Sequence, residues 1–289
     1  MATWIDSSPG AEAVPLDDRG FTLGDGVFDT ALVLAGRVVA GDRHLGRLVG
    51  QAAAIGIAVD RARIEAGWAF VLGEEAGRDC VLRTTVTRGS AGRGLWPREP
   101  GRPRVAVTTA PWSRDLVGRP VRLATATIRR NEGSPASRLK SLGYLDNVLA
   151  AREAAGRGAD DALMLNGRGA VAGSTIANLF VLRGGRLVTP PTEDGVLAGV
   201  TRGLLLEAAP EAGLEPVVAG LVPADLASAD AVLLTNSLRL VLPVAALDGA
   251  ALPAAGGPAV ARLAAALAGR IRAISGVNLG LRDYPGPST

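Results

Sequence analysis

Apolar residues in the first part of the chain keep two periods. Trp4 and Ile5 stand ahead of a turn-rich stretch, Asp6 to Gly10. A second polar loop, Asp17 to Gly26, runs into Thr30, Leu32 and Leu34, which alternate with period two. With Gly36 and then Val38 and Val39, this pattern predicts a strand, a turn and a second strand. Asp42 is placed to cap the following helix, whose Leu45, Leu48, Val49, Ala52 and Ile55 share one face. A second helix is expected over about Arg61 to Leu72, then strands through Val81, Thr85 and Thr87 and from Val105 to Thr109. Between Pro111 and Pro120 the pattern lapses into polar residues broken by proline and glycine. The expected division is therefore a domain over 1–113, a linker at 114–120 and a second domain over 121–289.

The second domain opens on a strand near Val121 to Ala126 and a loop carrying Arg129, Arg130, Gly133 and Pro135. A helix through Leu145, Val148, Leu149 and Ala154 follows, with Lys140 at the loop-to-helix junction. Strands are predicted at Ala162–Leu165, Leu179–Leu182, Leu187–Val188, Ala231–Thr235 and Leu240–Val244. Helices are predicted from about Gly199 to Ala209 and at the end, where Val260, Leu263, Leu267, Ile271 and Ile274 recur at helical spacing. Helices and strands alternate without a βαβ rhythm, so the fold class is α+β.

Composition narrows the chemistry. The chain has 289 residues with one Cys, Cys80, and one His, His44, too few for a histidine-rich metal site or a C-x-x-C redox pair. No metal is expected. The charge balance is +3 with arginines scattered among 28 carboxylates, and aromatics are 3%, so no nucleic-acid partner is expected. No charge-free apolar run approaches the roughly 18 residues of a membrane span, and no basic segment precedes an apolar stretch at the start. A cytoplasmic location without membrane partners is the expectation.

Of the 31 basic residues one is lysine, Lys140, and the rest are arginine. An arginine cannot lose its proton near neutral pH, whereas a lysine amine can, and can then attack a carbonyl. The lone lysine lies in Ser137-Arg138-Leu139-Lys140-Ser141-Leu142-Gly143-Tyr144-Leu145-Asp146-Asn147. This segment resembles the cofactor-lysine segment of class IV pyridoxal-phosphate-dependent enzymes: branched-chain and D-amino-acid aminotransferases and 4-amino-4-deoxychorismate lyases. Three further segments match in order: Arg19 to Thr30 with His44 to Leu48; Gly169 to Phe180; and Thr189-Pro190 with Gly195 to Arg202.

The resemblance implies a two-domain fold of type IV, with a smaller N-terminal α/β sandwich and a larger C-terminal domain built on a barrel-like sheet. It implies a homodimer, small-molecule substrates and pyridoxal 5'-phosphate held as a Schiff base on Lys140, which would also act as general base and acid. Arg47, the amides of Val200 and Thr201 and the hydroxyl of Ser237 would bind the phosphate, and Tyr144 would lie near the cofactor ring. His44 is expected in a structural hydrogen bond.

One position departs from the family pattern. Where relatives carry the glutamate that keeps the pyridine nitrogen protonated, this chain has Gly173, with the hydroxyls of Ser174 and Thr175 beside it. A weaker electron sink favours the lyase, whose elimination of pyruvate forms an aromatic ring, over transamination. Phe28-Asp29-Thr30-Ala31 and Thr235 to Val244 are also lyase-like. The leading expectation is a 4-amino-4-deoxychorismate lyase of folate biosynthesis, releasing pyruvate and 4-aminobenzoate. A class IV aminotransferase acting on branched-chain or other amino acids is the alternative, and a cofactor-binding protein with little catalysis a third reading. Candidate substrate contacts are Thr30 and the cations Arg93, Arg138 and Arg239.

Overall fold

The computed structural model describes residues 1–6, 8–9, 13–92, 94–96, 101–253 and 257–279. The chain forms two compact units. The first is Met1–Ser113 together with Leu139–Gly143; the second is Arg114–Arg138 together with Tyr144–Thr289. Residues 114–120, expected as a linker, are counted with the second unit and begin with a 3-10 turn at Arg114–Leu116.

In chain order the first unit contains β1 (Thr3–Ile5), β2 (Ser8–Pro9), α1 (Arg19–Leu23), β3 (Gly26–Leu34), β4 (Arg37–Val38), α2 (Gly41–Ala54), α3 (Arg61–Glu75), β5 (Cys80–Thr87) and β6 (Arg104–Pro111). The strands make one antiparallel sheet in the order β2-β1-β6-β5-β3-β4. Helices α2 and α3 cover one face, where Leu45, Leu48, Ile64, Trp68 and Val71 meet Val27, Val33, Leu82, Val86 and Val107. The buried Trp68 indole donates to Thr84 Oγ1 at 2.7 Å, so no polar group is stranded there.

Two local expectations are corrected. The loop expected from Asp17 to Gly26 contains α1, because Asp18 accepts from the Gly20 amide at 2.8 Å and Gly24 closes the helix in the left-handed conformation. Asp42 does not cap α2. Ala40 is the capping residue, at φ 53°, and Asp42 is the second residue of the first turn, paired with Arg61.

The second unit contains β7 (Val121–Arg130), α4 (Leu145–Gly156), β8 (Asp161–Asn166), β9 (Val171–Ser174), β10 (Asn178–Arg183), β11 (Arg186–Thr189), α5 (Val200–Ala208), β12 (Glu215–Val218), α6 (Pro223–Ala227), β13 (Ala231–Asn236), β14 (Leu240–Leu247), β15 (Ala250–Ala251) and α7 (Pro258–Ser275). Its nine-stranded sheet runs β12-β11-β10-β13-β14-β7-β8-β9, with β15 on β14, and it curls into a half-barrel. The pairs β11–β12, β14–β7 and β7–β8 are parallel. One core holds Leu163, Leu179, Val181, Val232, Leu234 and Val244; a second, alanine-rich core lies under α4 around Ala150, Ala154 and Met164.

The larger apolar residues of α4 point outward, with Leu145 and Val148 more than half exposed. Ile274, expected on the buried face of α7, is also exposed, whereas Val260, Leu263, Leu267 and Ile271 are buried. Strands β9 and β12 have no counterpart in the expected pattern. The first is only Val-Ala-Gly-Ser, and the second contains Pro216.

The segment holding the lysine is stitched to β3. Phe28 N donates to Lys140 O at 2.9 Å and Leu142 N to Gly26 O at 3.0 Å, with Val27 and Ser141 as an antiparallel bridge. This close approach needs glycine at 26, since a Cβ there would lie 2.5 Å from Val86 O and 2.8 Å from a Leu142 methyl. Gly26→Ala is expected to destabilise the first unit by about 1–3 kcal/mol through overpacking; urea unfolding of the two proteins checks it.

Candidate active site

Within the first unit, β3 separates two groups of side chains by its alternation. On the face away from α2, Phe28 lies under two cations. Lys140 Nζ is 4.4 Å and Arg83 Cζ 3.8 Å from the ring centroid, both within cation–π reach. Thr30, an expected substrate contact, is directly opposite Arg83 in the β3–β5 ladder and shares this face. Lys140 is fixed at its backbone as well: its N–H donates to Gln51 Oε1 at 2.9 Å. Arg83 was not anticipated from sequence. It sits among β-branched residues of a strand, and only the pairing with Thr30 reveals its face.

On the helix-covered face Asp29 is a buried hub. His44 Nδ1 is 2.6 Å from Oδ1, and Arg47 closes a fork on the carboxylate, Nε to Oδ2 at 2.8 Å and Nη2 to Oδ1 at 2.9 Å. Burial alone would raise the Asp29 pKa. The hydrogen bond and charge of His44, with those of Arg47, outweigh it and bring the carboxyl down to about 2. The expected phosphate ligand Arg47 is thus aimed by a residue that sequence reasoning placed in a motif but gave no role.

The second unit holds the remaining expected residues. Helix α5 starts after Gly199 with no side-chain cap, leaving the first-turn amides of Val200 and Thr201 for an anion. Thr201 Oγ1 lies 3.4 Å from Ser237 Oγ, so two hydroxyls face each other at this helix end. Gly199 keeps the mouth narrow, since a Cβ there would fall 2.0 Å from Asn178 Oδ1, and Asn178 in turn donates to Leu197 O at 2.8 Å. Amides, hydroxyls and a cradle with no room for a side chain fit a phosphate.

Tyr144 is the residue before the first turn of α4 and is electrostatically coupled to Arg130. Arg239 is half-buried in a turn whose amides at Leu238 and Arg239 both donate to Asn236 Oδ1, and Arg138 ends an exposed 3-10 turn. Arg93 lies outside the described residues; its neighbours Gly94 and Leu95 accept from the Arg19 guanidinium through their carbonyls.

With this geometry in place, comparison with known proteins defines the class: the chain belongs to the amino-transferase class IV family, whose description matches residues 26–247. The family is pyridoxal-phosphate-dependent. The chain is 31% identical to a 4-amino-4-deoxychorismate lyase from Pseudomonas aeruginosa, with TM-score 0.81 over 94% of this chain and 98% of that one. It is 27% identical to a branched-chain aminotransferase from Thermoproteus uzoniensis, solved with norvaline, with TM-score 0.84 over 98% and 96%. It also resembles an aminotransferase from Mycobacterium tuberculosis in its PLP-bound form, at 26% identity and TM-score 0.78 over 92% and 95%. Both lyases and aminotransferases therefore stand beside this chain.

Because the folded pKa of Asp29 is depressed, its stabilisation is full above the unfolded value near 3.8 and is lost as pH falls toward about 2. That swing is worth roughly 2 kcal/mol. Asp29→Asn is expected to cost about 2–4 kcal/mol near neutral pH by stripping the carboxylate from Arg47. The gap to wild type should narrow by roughly 2 kcal/mol between pH about 5 and about 2, as read by denaturant unfolding at each pH.

Proposed function

We propose that the protein is a 4-amino-4-deoxychorismate lyase, cleaving its substrate to pyruvate and 4-aminobenzoate. The observation that carries this reading is Gly173: the position is built for glycine, at φ 103°, with a Cβ there only 2.8 Å from Ala177 O. A site without a carboxylate at this position suits an elimination driven by aromatisation better than the stabilisation of an ordinary amino-acid carbanion. Bound pyridoxal phosphate supplies an aldehyde for an amine and a conjugated ring that accepts an electron pair.

The chain supplies the rest. The Val200 and Thr201 amides, the Thr201 and Ser237 hydroxyls and Arg47 are the groups that would hold the phosphate, with Asp29 orienting Arg47. Lys140 would hold the cofactor through its amine; once the substrate amine took its place, Nζ would accept the proton from the amine-bearing ring carbon and return it to the enol of pyruvate that leaves with the electron pair of the broken ring C–O bond, the six-membered ring becoming aromatic. Tyr144 would bond the phenolic oxygen of the cofactor's ring. Two substrate carboxylates call for cations. Arg83 is supported as one of them by sharing the Phe28 ring with Lys140 and by standing opposite Thr30; Arg93, Arg138 and Arg239 complete the candidate set.

The second reading is a class IV aminotransferase, favoured by the near-complete coverage of the T. uzoniensis enzyme. A homodimer belongs to either proposal, with the exposed Leu145, Val148 and Ile176 as apolar residues that a second copy of this chain would cover. Among the described residues no helix is long and apolar enough to cross a membrane. A cytoplasmic role in folate biosynthesis is part of the lyase proposal.

Added pyridoxal phosphate is expected to colour the protein, and borohydride to fix it covalently; Lys140→Ala should abolish fixation and lower kcat by about 100- to 10,000-fold. Release of 4-aminobenzoate from aminodeoxychorismate should exceed keto-acid formation from leucine, alanine and D-alanine; efficient transamination of leucine or glutamate would overturn the lyase reading. Arg83→Met is expected to raise KM for the dicarboxylic substrate by roughly 10- to 100-fold with little change in kcat. Steady-state kinetics on both proteins decide it.

A further inference from the structure

Around Gly173 the second unit presents a pattern of charge that the family resemblance does not anticipate. Gly173 is directly opposite Met164 in the antiparallel β8–β9 pair, so their side-chain directions share one face of the sheet. On that side Met164 Sδ is 3.2 Å from Arg130 Nη2, and a thioether is a poor acceptor for a charged donor. Arg130 Nε is buried and has no hydrogen-bond partner. The stem is held in place by the loop before α5: a Cβ on Gly195 would be 3.3 Å from both Arg130 Cγ and Cδ. Burial of the guanidinium works against its charge, and Tyr144 and Asp146 favour it. A desolvated, under-partnered donor therefore lies on the same side as Gly173 and close to Tyr144.

Of the neutral groups beside Gly173, Thr175 has its proton committed, and Ser174, opposite Leu163 in the β8–β9 pair, faces the other side of the sheet. Thr175 Oγ1 donates its proton to the buried Asp161 at 2.5 Å. Ser174 Oγ accepts from the Ala177 amide at 3.0 Å, while Ser174 N donates to Ala177 O at 2.9 Å. A glutamate at 173 would have to break this turn, because its Cβ would collide with the same Ala177 oxygen.

We propose that this protein holds the ring nitrogen of its cofactor unprotonated, as the acceptor of a hydrogen bond from Arg130, rather than as a pyridinium paired with a carboxylate. A fixed cation beside a basic nitrogen disfavours a second positive charge there, and a guanidinium cannot give up its own proton to the ring. The pyridine lone pair supplies the acceptor that Arg130 lacks. Arg130 acts as a positioning donor and Gly173 as the backbone condition that keeps a carboxylate out. The inference rests on cofactor binding as proposed above, and its test reads the ring nitrogen itself, not which reaction the enzyme performs.

The test is the 15N chemical shift of the ring nitrogen in full-length protein loaded with 15N-labelled pyridoxal phosphate. The expected resonance is that of a hydrogen-bonded neutral pyridine. A pyridinium resonance overturns the proposal. Arg130→Met is expected to move the resonance toward a pyridine with no donor, with Arg130→Lys retaining most of the wild-type shift. A resonance unmoved in Arg130→Met overturns the role of Arg130. Should Arg130→Met fail to fold, the wild-type spectrum alone still decides protonation. Cofactor binding is scored separately by colour and borohydride fixation, so its failure is distinguishable from a colour-retaining protein with a pyridinium ring.

Discussion

The backbone stitch between β3 and residues 140–142 is the constraint on which the first half-site depends. A lysine side chain has a flexible four-carbon stem, and an amine that must meet a carbonyl needs its root fixed if the rest is to be positioned. The protein achieves this with strand-like pairing, Lys140 O to Phe28 N and Gly26 O to Leu142 N, reinforced from α2 by Gln51. The cost appears in sequence as the Gly24-Asp25-Gly26 run. Gly24 takes the left-handed conformation, Gly26 makes room for Leu142, and Asp25 between them is locked by Arg19 and Arg88. Burial would raise the Asp25 pKa, and the two guanidinium partners turn the balance and lower it. A short motif that reads as a loop is thus a rigid seat for the segment that carries the amine.

The same strand sorts the chemistry by side. Successive residues Phe28, Asp29 and Thr30 face opposite ways, so one strand supplies the ring beneath Lys140 and Arg83 on one face and the anchor of Arg47 on the other. A one-residue slip in the β3–β5 register would exchange these roles. The register is protected because Val27 and Val33 are fully buried against α2 and α3.

Much of this was readable from the residues. The long amphipathic helices α2, α3 and α7 follow from period 3.6, and the strands from β-branched runs. Lys140 stands out because every other basic residue is arginine. What escaped depended on pairing across the fold. Asp29 lay inside a recognised motif, yet its role exists only where α2 brings His44 and Arg47 to it. Arg83 looked like any strand arginine until the ladder set it opposite Thr30. Short β9 carries no hydrophobic period, so the conformation of Gly173 was invisible, although its identity was conspicuous. Ile274 shows the reverse error: a correct helical phase does not ensure burial in a last turn that has nothing left to cover it.

Arginine and lysine divide the labour here in a way that composition alone hints at. Structural pairs such as Arg47–Asp29, Arg19–Asp25–Arg88 and Arg168–Asp194 use a planar fork that stays charged at any physiological pH. Such pairs fix geometry without adding a titrating group. A lysine amine, by contrast, is a group that can give up its proton and act as a nucleophile. With arginine carrying the structural charge, the chain keeps a single nucleophilic amine on its side chains, so an aldehyde ligand meets no competing lysine. The consequence falls on the second unit. There, too, the cation beside Met164, with its buried Nε unpartnered, is an arginine, Arg130, which can donate a hydrogen bond but does not give up its proton, so a basic ligand group set against it is disfavoured from taking a proton of its own.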